Sequence, residues 1–416
     1  MGDLKSDICD AIDGMKDTLL GVSRHIHANP ELAFQEILAA KCLTGAVEDA
    51  ALPIQRHAYG LETGYAAEFG TDDGNGTVAI LSEYDALPGI GHSCGHNIIA
   101  ASGLGAALAL SKVPGWKGKV RYVGTPAEER GGGKEIMAQH GAFDGVDAAM
   151  MIHPAGMDLT TMPSIALSSV EAVYEGQSAH ASAMPHRGLN ALDGVVLSYQ
   201  SIAALRQHIR PSERIHGIIT EGGQAPNIVP DRAAALYYIR AQNAGALAKL
   251  KSRVKNCLEA GAIASGTTVT LNWAQVDYLD LKTNMPLADA YDANIRRLGR
   301  EPIDASTMPS SFAGSTDMGN VSHRVPSIHP MIACAPANVV IHNPEFAKWA
   351  GSDKGDLAVL DGAKALAMTA IDYFESQALR DTAKSDFDDT ASASNEAVSM
   401  AFDENGVMEI GGCGCS

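Results

Sequence analysis

Four short stretches of the sequence carry residue types that bind cations or move protons. In EYDALPGIGHSCGHN (83–97), Cys94 and His96 stand two residues apart in a turn flanked by Gly91 and Gly95. Glycine permits the tight backbone of such a turn. A thiolate and an imidazole on it can both face one ion, and Zn²⁺ accepts both. Asp85, just upstream, is suited to hold a ligand histidine in one tautomer. GTPAEERGGGKEIM (124–137) supplies Glu128 and Glu129. Neighbouring side chains at a strand end point different ways. One carboxylate can therefore bind metal while the other reaches a water as general base. His153 in MMIHPAG (150–156) and His342 in VVIHNPEF (339–346) each close an apolar run. Any one of these stretches alone fits an ordinary buried cysteine, a structural histidine or a solvated glutamate pair. Together they offer a thiolate, three imidazoles and a carboxylate, enough for two ions sharing one bridging ligand.

The elements that must position these residues follow from the surrounding pattern. TVAILSEYD (77–85), KVRYVGTP (119–126) and VDAAMMIHP (146–154) read as buried strands. IIAASGLGAALALSKV (98–113) and GGGKEIMAQHG (131–141) read as helices between them, the first with small residues on one face. Strands alternating with helices imply an α/β domain with a mostly parallel central sheet flanked by helices. Candidate residues then lie at carboxyl ends of strands, where open α/β sheets place their sites.

The pattern changes near residue 165. IALSSVEAVYEG (165–176), a long helix over 189–209, IHGIITEGG (215–223), AAALYYIRA (233–241), a helix over 246–265 and TTVTLNW (267–273) follow in turn. Strand–helix–strand–strand–helix–strand is the split-βαβ order of a ferredoxin-like α+β unit. It predicts an inserted domain at 166–280 within a catalytic domain made of 1–165 and 281–416. Beyond about residue 380 the acidic, Ser/Ala-rich sequence reads as a flexible extension. Cys413 and Cys415, at the very end, are assigned no role.

With Lys+Arg 31 against Asp+Glu 49, the chain carries a formal net charge of −18. That excludes a nucleic-acid partner, which demands a basic face, and equally an anionic membrane surface. No apolar run reaches the length of a membrane span, and the acidic N-terminus lacks the pattern of a signal peptide. Seven cysteines are too sparse for a disulfide scaffold, so a reducing, cytoplasmic location is expected.

The combination of EYDALPG, SCGHN and PAEE, together with RHIHANPELAFQE (24–36) and HNPEF (342–346), resembles the co-catalytic zinc metallopeptidases of the aminoacylase and glutamate carboxypeptidase family. The similarity is to the amidohydrolase branch that holds p-aminobenzoyl-glutamate hydrolase and β-alanyl-lysine dipeptidase. The resemblance implies that Cys94 bridges two ions, His96 and His153 complete one shell, and Glu129 and His342 complete the other. Glu128 falls where the family has its general base. GQSAHASAMPHRG (176–188) and GGQAPNIVPD (222–231) resemble the family's lid motifs. They imply a functional His180, which in relatives can come from a partner subunit, and a substrate-contacting Asn227. Arg240 falls where some relatives bind a substrate carboxylate. Glu83 stands where other branches carry a ligand histidine, whose place His96 takes here, so Glu83 is left out of the ligand set.

The implied activity is metal-dependent hydrolysis of the amide bond of an N-acyl amino acid or dipeptide-like substrate. The implied cofactors are two divalent ions, Zn or Mn with Co also suited. The implied assembly is a homodimer through the lid domain. The alternatives are a deacetylase or desuccinylase of the same fold, or a non-catalytic metal-binding protein. Glu128 speaks against the last, because binding alone needs no base.

Overall fold

In the computed structural model, residues 3–304, 307 and 314–401 are described. The strands, in chain order, are β1 Gln55–Arg56, β2 Tyr65–Gly70, β3 Thr77–Ser82, β4 Lys119–Gly124, β5 Ala148–Met150, β6 His153–Ala155, β7 Ala166–Glu175, β8 Arg214–Glu221, β9 Arg232–Ala241, β10 Thr268–Trp273, β11 Ser327–Ile328 and β12 Met331–Ala333. The chain divides into two compact units. One is made by the chain up to Pro163 and again over Leu281–Val398, and the other is Ser164–Asp280.

The first unit is built on a six-stranded sheet of order β1-β2-β4-β3-β5-β11. β3 pairs in parallel with β4 and β5, and β5 with β11, whereas β1 and β2 add an antiparallel edge. β3 has the continuous apolar run TVAILS because helices cover both faces of such a sheet. The helix His96–Lys112 lies against it. A Cβ at Gly103 would fall 2.4 Å from Ser82 Oγ and 2.7 Å from Leu81 O, so this close approach requires glycine. The run 146–154, which reads as one strand in the sequence, is two: β5 stays in the main sheet, and β6 leaves it to pair in parallel with β12. The break carries His153 away from the main sheet.

Residues beyond 380, expected to be loose, are ordered to 401. They form helices Gln377–Asp388 and Ala391–Met400. Asn284 Nδ2 donates to Ala383 O (2.8 Å), and Lys282 Nζ donates to Thr390 and Ser394 hydroxyls. These contacts from distant sequence supply what composition could not show. Cys413 and Cys415 lie outside the described residues.

The second unit is a four-stranded antiparallel sheet of order β10-β7-β9-β8, the ferredoxin-like arrangement. Helices Ala191–Leu205 and Ala244–Ser265 pack on it over a core that includes Val170, Tyr174, Val195, Tyr237, Val254 and Leu258. A Cβ at Gly261 would fall 2.0 Å from Ser198 Oγ and 2.5 Å from Gly194 O, so glycine sets the spacing of the two helices. Among the described residues, no helix is long and apolar enough to cross a membrane.

Candidate metal centre

Glu83 and Asp85 follow β3 and Glu128 and Glu129 follow β4, whereas His153 opens β6 and His342 lies on the loop after β12. After β3 the chain runs through Glu83, Tyr84 and Asp85, with Tyr84 Oη donating to Thr63 O (2.7 Å). The following turn needs left-handed backbone at Gly91 and Gly95. A Cβ at Gly95 would also come 2.6 Å from Pro154 Cγ, so glycine brings Cys94 close to the strand that carries His153. His96 opens the next helix. After β4, Ala127 takes a φ of +61°, a conformation costly for a residue with a Cβ. Ala127 N is held by Glu36 Oε1 (2.9 Å), and the strained turn presents Glu128 and Glu129. His342 also has a left-handed φ of +62°, fixed by its N–H donating to Ser93 O (2.8 Å).

These turns bring the five expected ligands together. The donor atoms of Cys94, His96 and His153 all lie within 4.8 Å of one another, as do those of Cys94, Glu129 and His342. Cys94 Sγ belongs to both groups. It lies 3.4 Å from His153 Nε2, and Glu129 Oε2 lies 3.4 Å from His342 Nε2. Asp85 joins the halves: Oδ1 is 2.9 Å from His96 Nδ1, and Oδ2 accepts from Glu129 N (2.9 Å). The first contact leaves Nε2 as the free nitrogen of His96.

The electrostatics suit a bound cation. Burial, then the nearby Glu129, pushes the Cys94 thiol well above its usual range, so positive charge is needed to make it a thiolate. Burial, reinforced by His96, lowers His153 to about 4 and keeps its imidazole neutral, the form that ligates. Burial and the charges of Glu83 and Glu129 hold the Glu128 carboxyl well above the usual range. Burial opposes ionisation of Glu129, but His342 and His96 outweigh it and lower its pKa. His96 Nε2, Glu129 Oε1 and Glu83 Oε2 are buried without a hydrogen-bond partner among the described residues. Such atoms are costly in an empty interior and fit a site that holds ions.

Lys134 and Asp317 also stand here, fully buried, and were not singled out from the sequence. Lys134 contacts both Glu83 and Asp317. The readable signal was a lysine directly after three glycines at a strand end, in a stretch already rich in candidates.

The remaining expected residues belong to the second unit. His180 and Asn227 are on segments joined by an Ala181 N–H donated to Asn227 O (3.0 Å) and a His180–Ile228 bridge. Neither side chain is buried. Arg240 is half-buried, near the end of β9 opposite Arg232. It is Arg232 that lies beside those segments, through Gly176 N donating to Asp231 O (2.8 Å). Eight residues of strand, at about 3.3 Å each, separate Arg232 from Arg240. Within this unit the fold therefore groups His180 with Asn227 but not with Arg240.

A two-domain fold with a dense cluster of metal-type donors defines a class, and sequence comparison names it. The peptidase family M20/M25/M40 matches residues 79–355. The chain belongs to this family and is a metal-dependent peptidase or amidohydrolase, as its motifs implied. It is 39% identical to an Xaa-Arg dipeptidase of Homo sapiens over 92% of both chains. It is 29% identical to a p-aminobenzoyl-glutamate hydrolase chain of Escherichia coli, over 88% of this chain and 91% of that one. The fold is also that of a dinuclear metal binding peptidase of the M20 family from Bacillus subtilis, with a TM-score of 0.62, 22% identity and coverage of 87% and 99%.

Proposed function

We propose that this protein is a two-ion dipeptidase that hydrolyses the amide bond before a C-terminal, preferably basic, residue. The observation that carries the reading is Cys94 shared between two donor groups, with Glu128 buried beside them. Cys94 would bridge, His96 and His153 would hold one ion, and Glu129 and His342 the other, with Asp85 orienting His96. Divalent ions bound there, Zn or Mn with Co also suited, supply Lewis acidity toward the scissile carbonyl and activate the attacking water. Glu128 takes the proton of that water on a carboxylate oxygen and returns it to the leaving nitrogen. Its raised pKa suits a group that must both accept and release a proton. His180 and Asn227 donate to the developing oxyanion; Arg240, distant from that pair in its own chain, receives the substrate carboxylate at the same site only where the pair comes from the partner chain of the homodimer.

The preference for a basic residue rests on the human relative's name and on the net charge of −18, which draws cationic substrates toward the protein. A homodimer through the inserted unit is supported by its exposed apolar residues: Ile218 and Ile219 on the edge strand, and Val196 and Leu197 on the helix Ala191–Leu205. The five described cysteines are free, in keeping with a reducing, cytoplasmic setting.

The test is hydrolysis by the metal-loaded protein of dipeptides ending in Arg or Lys, of N-acetyl and N-succinyl amino acids, and of p-aminobenzoyl-glutamate. A chelator-stripped sample is the control. Turnover of the dipeptides, lost on stripping and restored by metal, is expected. Preference for the N-acyl substrates would replace this reading by a deacylase, and inactivity on every substrate would overturn it.

A further inference from the structure

Glu83 has no part in the mechanism above, yet it is one of the most constrained groups in the molecule. Glu83, Lys134 and Asp317 are all fully buried. Lys134 Nζ donates to Glu83 Oε1 and, at 2.7 Å, to Asp317 Oδ1, while Lys134 N donates to Asp317 Oδ2 (2.9 Å). Lys134, itself held by Asp317, thus fixes one oxygen of Glu83. The other, Oε2, is buried with no hydrogen-bond partner among the described residues and lies 3.5 Å from His96 Nε2.

His96 Nδ1 is engaged by Asp85 at 2.9 Å, so Nε2 is the ring nitrogen turned toward Glu83. Both Nε2 and Oε2 are dehydrated here without a hydrogen-bond partner among the described residues, which is costly. A divalent cation between them would take a ligand atom from each. Glu128 closes a third side, with the donor atoms of Glu83, His96 and Glu128 all within 4.8 Å of one another.

We propose that Glu83 is a ligand of the ion held by His96, and that Lys134 and Asp317 are positioning residues that aim its free oxygen. This rests on the two-ion reading. It makes the two positions unequal. The His96 ion gains a buried carboxylate that is grouped with His96 and Glu128, whereas the other position includes the half-exposed His342. The first should bind tightly, and the second should exchange more readily with solvent.

The experiment loads wild type, Glu83→Gln, Glu83→Asp, Lys134→Met and Lys134→Arg with Co²⁺. Stoichiometry is read by elemental analysis, the affinity of each ion by chelator competition, and the ligand field by visible absorption. Wild type should hold one tight and one weaker ion. Glu83→Gln should weaken the tight ion by at least about 10-fold and shift its absorption bands. Lys134→Met should weaken the same ion by about 10–100-fold, as loss of an orienting partner does, and Lys134→Arg should recover part of it. If the glutamine variant does not fold, Glu83→Asp keeps the charge but shortens the reach, and should weaken the same ion. Unchanged affinities and spectrum in a folded Glu83 variant would overturn the assignment while leaving the two-ion reading intact. A wild-type protein that binds no ions would fail that reading itself.

Discussion

Cys94, His96, Glu128 and His153 are buried in one unit, and two of the five ligand candidates, His96 and Glu129, end in buried atoms that nothing among the described residues satisfies. His180 and Asn227 lie on loops of the other unit, neither of them buried, over a sheet and two helices with an ordinary apolar core. The difference is physical. Dehydrated, unpartnered donors are expensive, so their presence in a folded core points to a ligand that repays the cost. A solvated histidine costs nothing and carries no such message. A functional claim about the first unit therefore stands on its energetics, and a claim about the second stands on resemblance until chemistry tests it.

The sharpest test of the contrast is Cys94→Ala. It removes the one atom common to both donor groups, so both ions should be weakened and hydrolysis abolished. Normal metal content by elemental analysis would break the bridging assignment. Glu128→Gln comes next. It keeps shape but cannot accept a proton, so kcat should fall by about 10²–10⁴ with both ions retained. Loss of metal instead would mean that the two adjacent glutamates have exchanged roles.

His180→Ala probes the solvated side of the comparison. If it supplies an oxyanion donor, kcat should fall by about 10²–10³ with KM and metal content little changed. Activity recovered in a verified heterodimer of His180→Ala and Glu128→Gln chains would show that the histidine serves its partner's site. An inactive heterodimer would rule out that crossed arrangement.

Glu36 offers a test by pH. It is buried, accepts from Phe34 N (3.0 Å), Ala127 N (2.9 Å) and Thr63 Oγ1 (2.9 Å), and burial together with Asp85 pushes it from 4.5 to about 7. The folded protein then holds a proton that the unfolded chain releases. The stability this contributes is present below about pH 4.5 and lost as pH rises through about 7, a change worth roughly 3 kcal/mol. Glu36→Gln should flatten the stability profile across that window, read by denaturant unfolding at several pH values. An unchanged slope would place the proton elsewhere.

The smallest effect belongs to the inserted unit. Gly261→Ala forces the two helices apart by contact with Ser198 and Gly194, costing about 1–3 kcal/mol in unfolding. Metal content should not change, and loss of ions from this variant would show that the two units are not energetically separate.

The sequence by itself determined a good deal. Local pattern was enough for the α/β alternation, the strand–helix–strand–strand–helix–strand order of the insert, the placement of Glu128 and Glu129 just after a strand, and that of Cys94 in a glycine-bearing turn. Hydrophobic period and glycine-bearing turns are short-range properties, and these features depend on little else. Only the tertiary structure decided that Asp85, expected to hold a ligand histidine, also holds Glu129 N, that Lys134, held by Asp317, fixes Glu83, and that His180 groups with Asn227 while Arg240 lies toward the other end of its strand. It also turned the acidic stretch to residue 401 into packed helices and split one apolar run between two sheets. Each of these depends on partners far away in the chain, 183 residues apart for Lys134 and Asp317. Residue type and neighbouring spacing carry no record of which distant group will fill a buried donor's remaining valence.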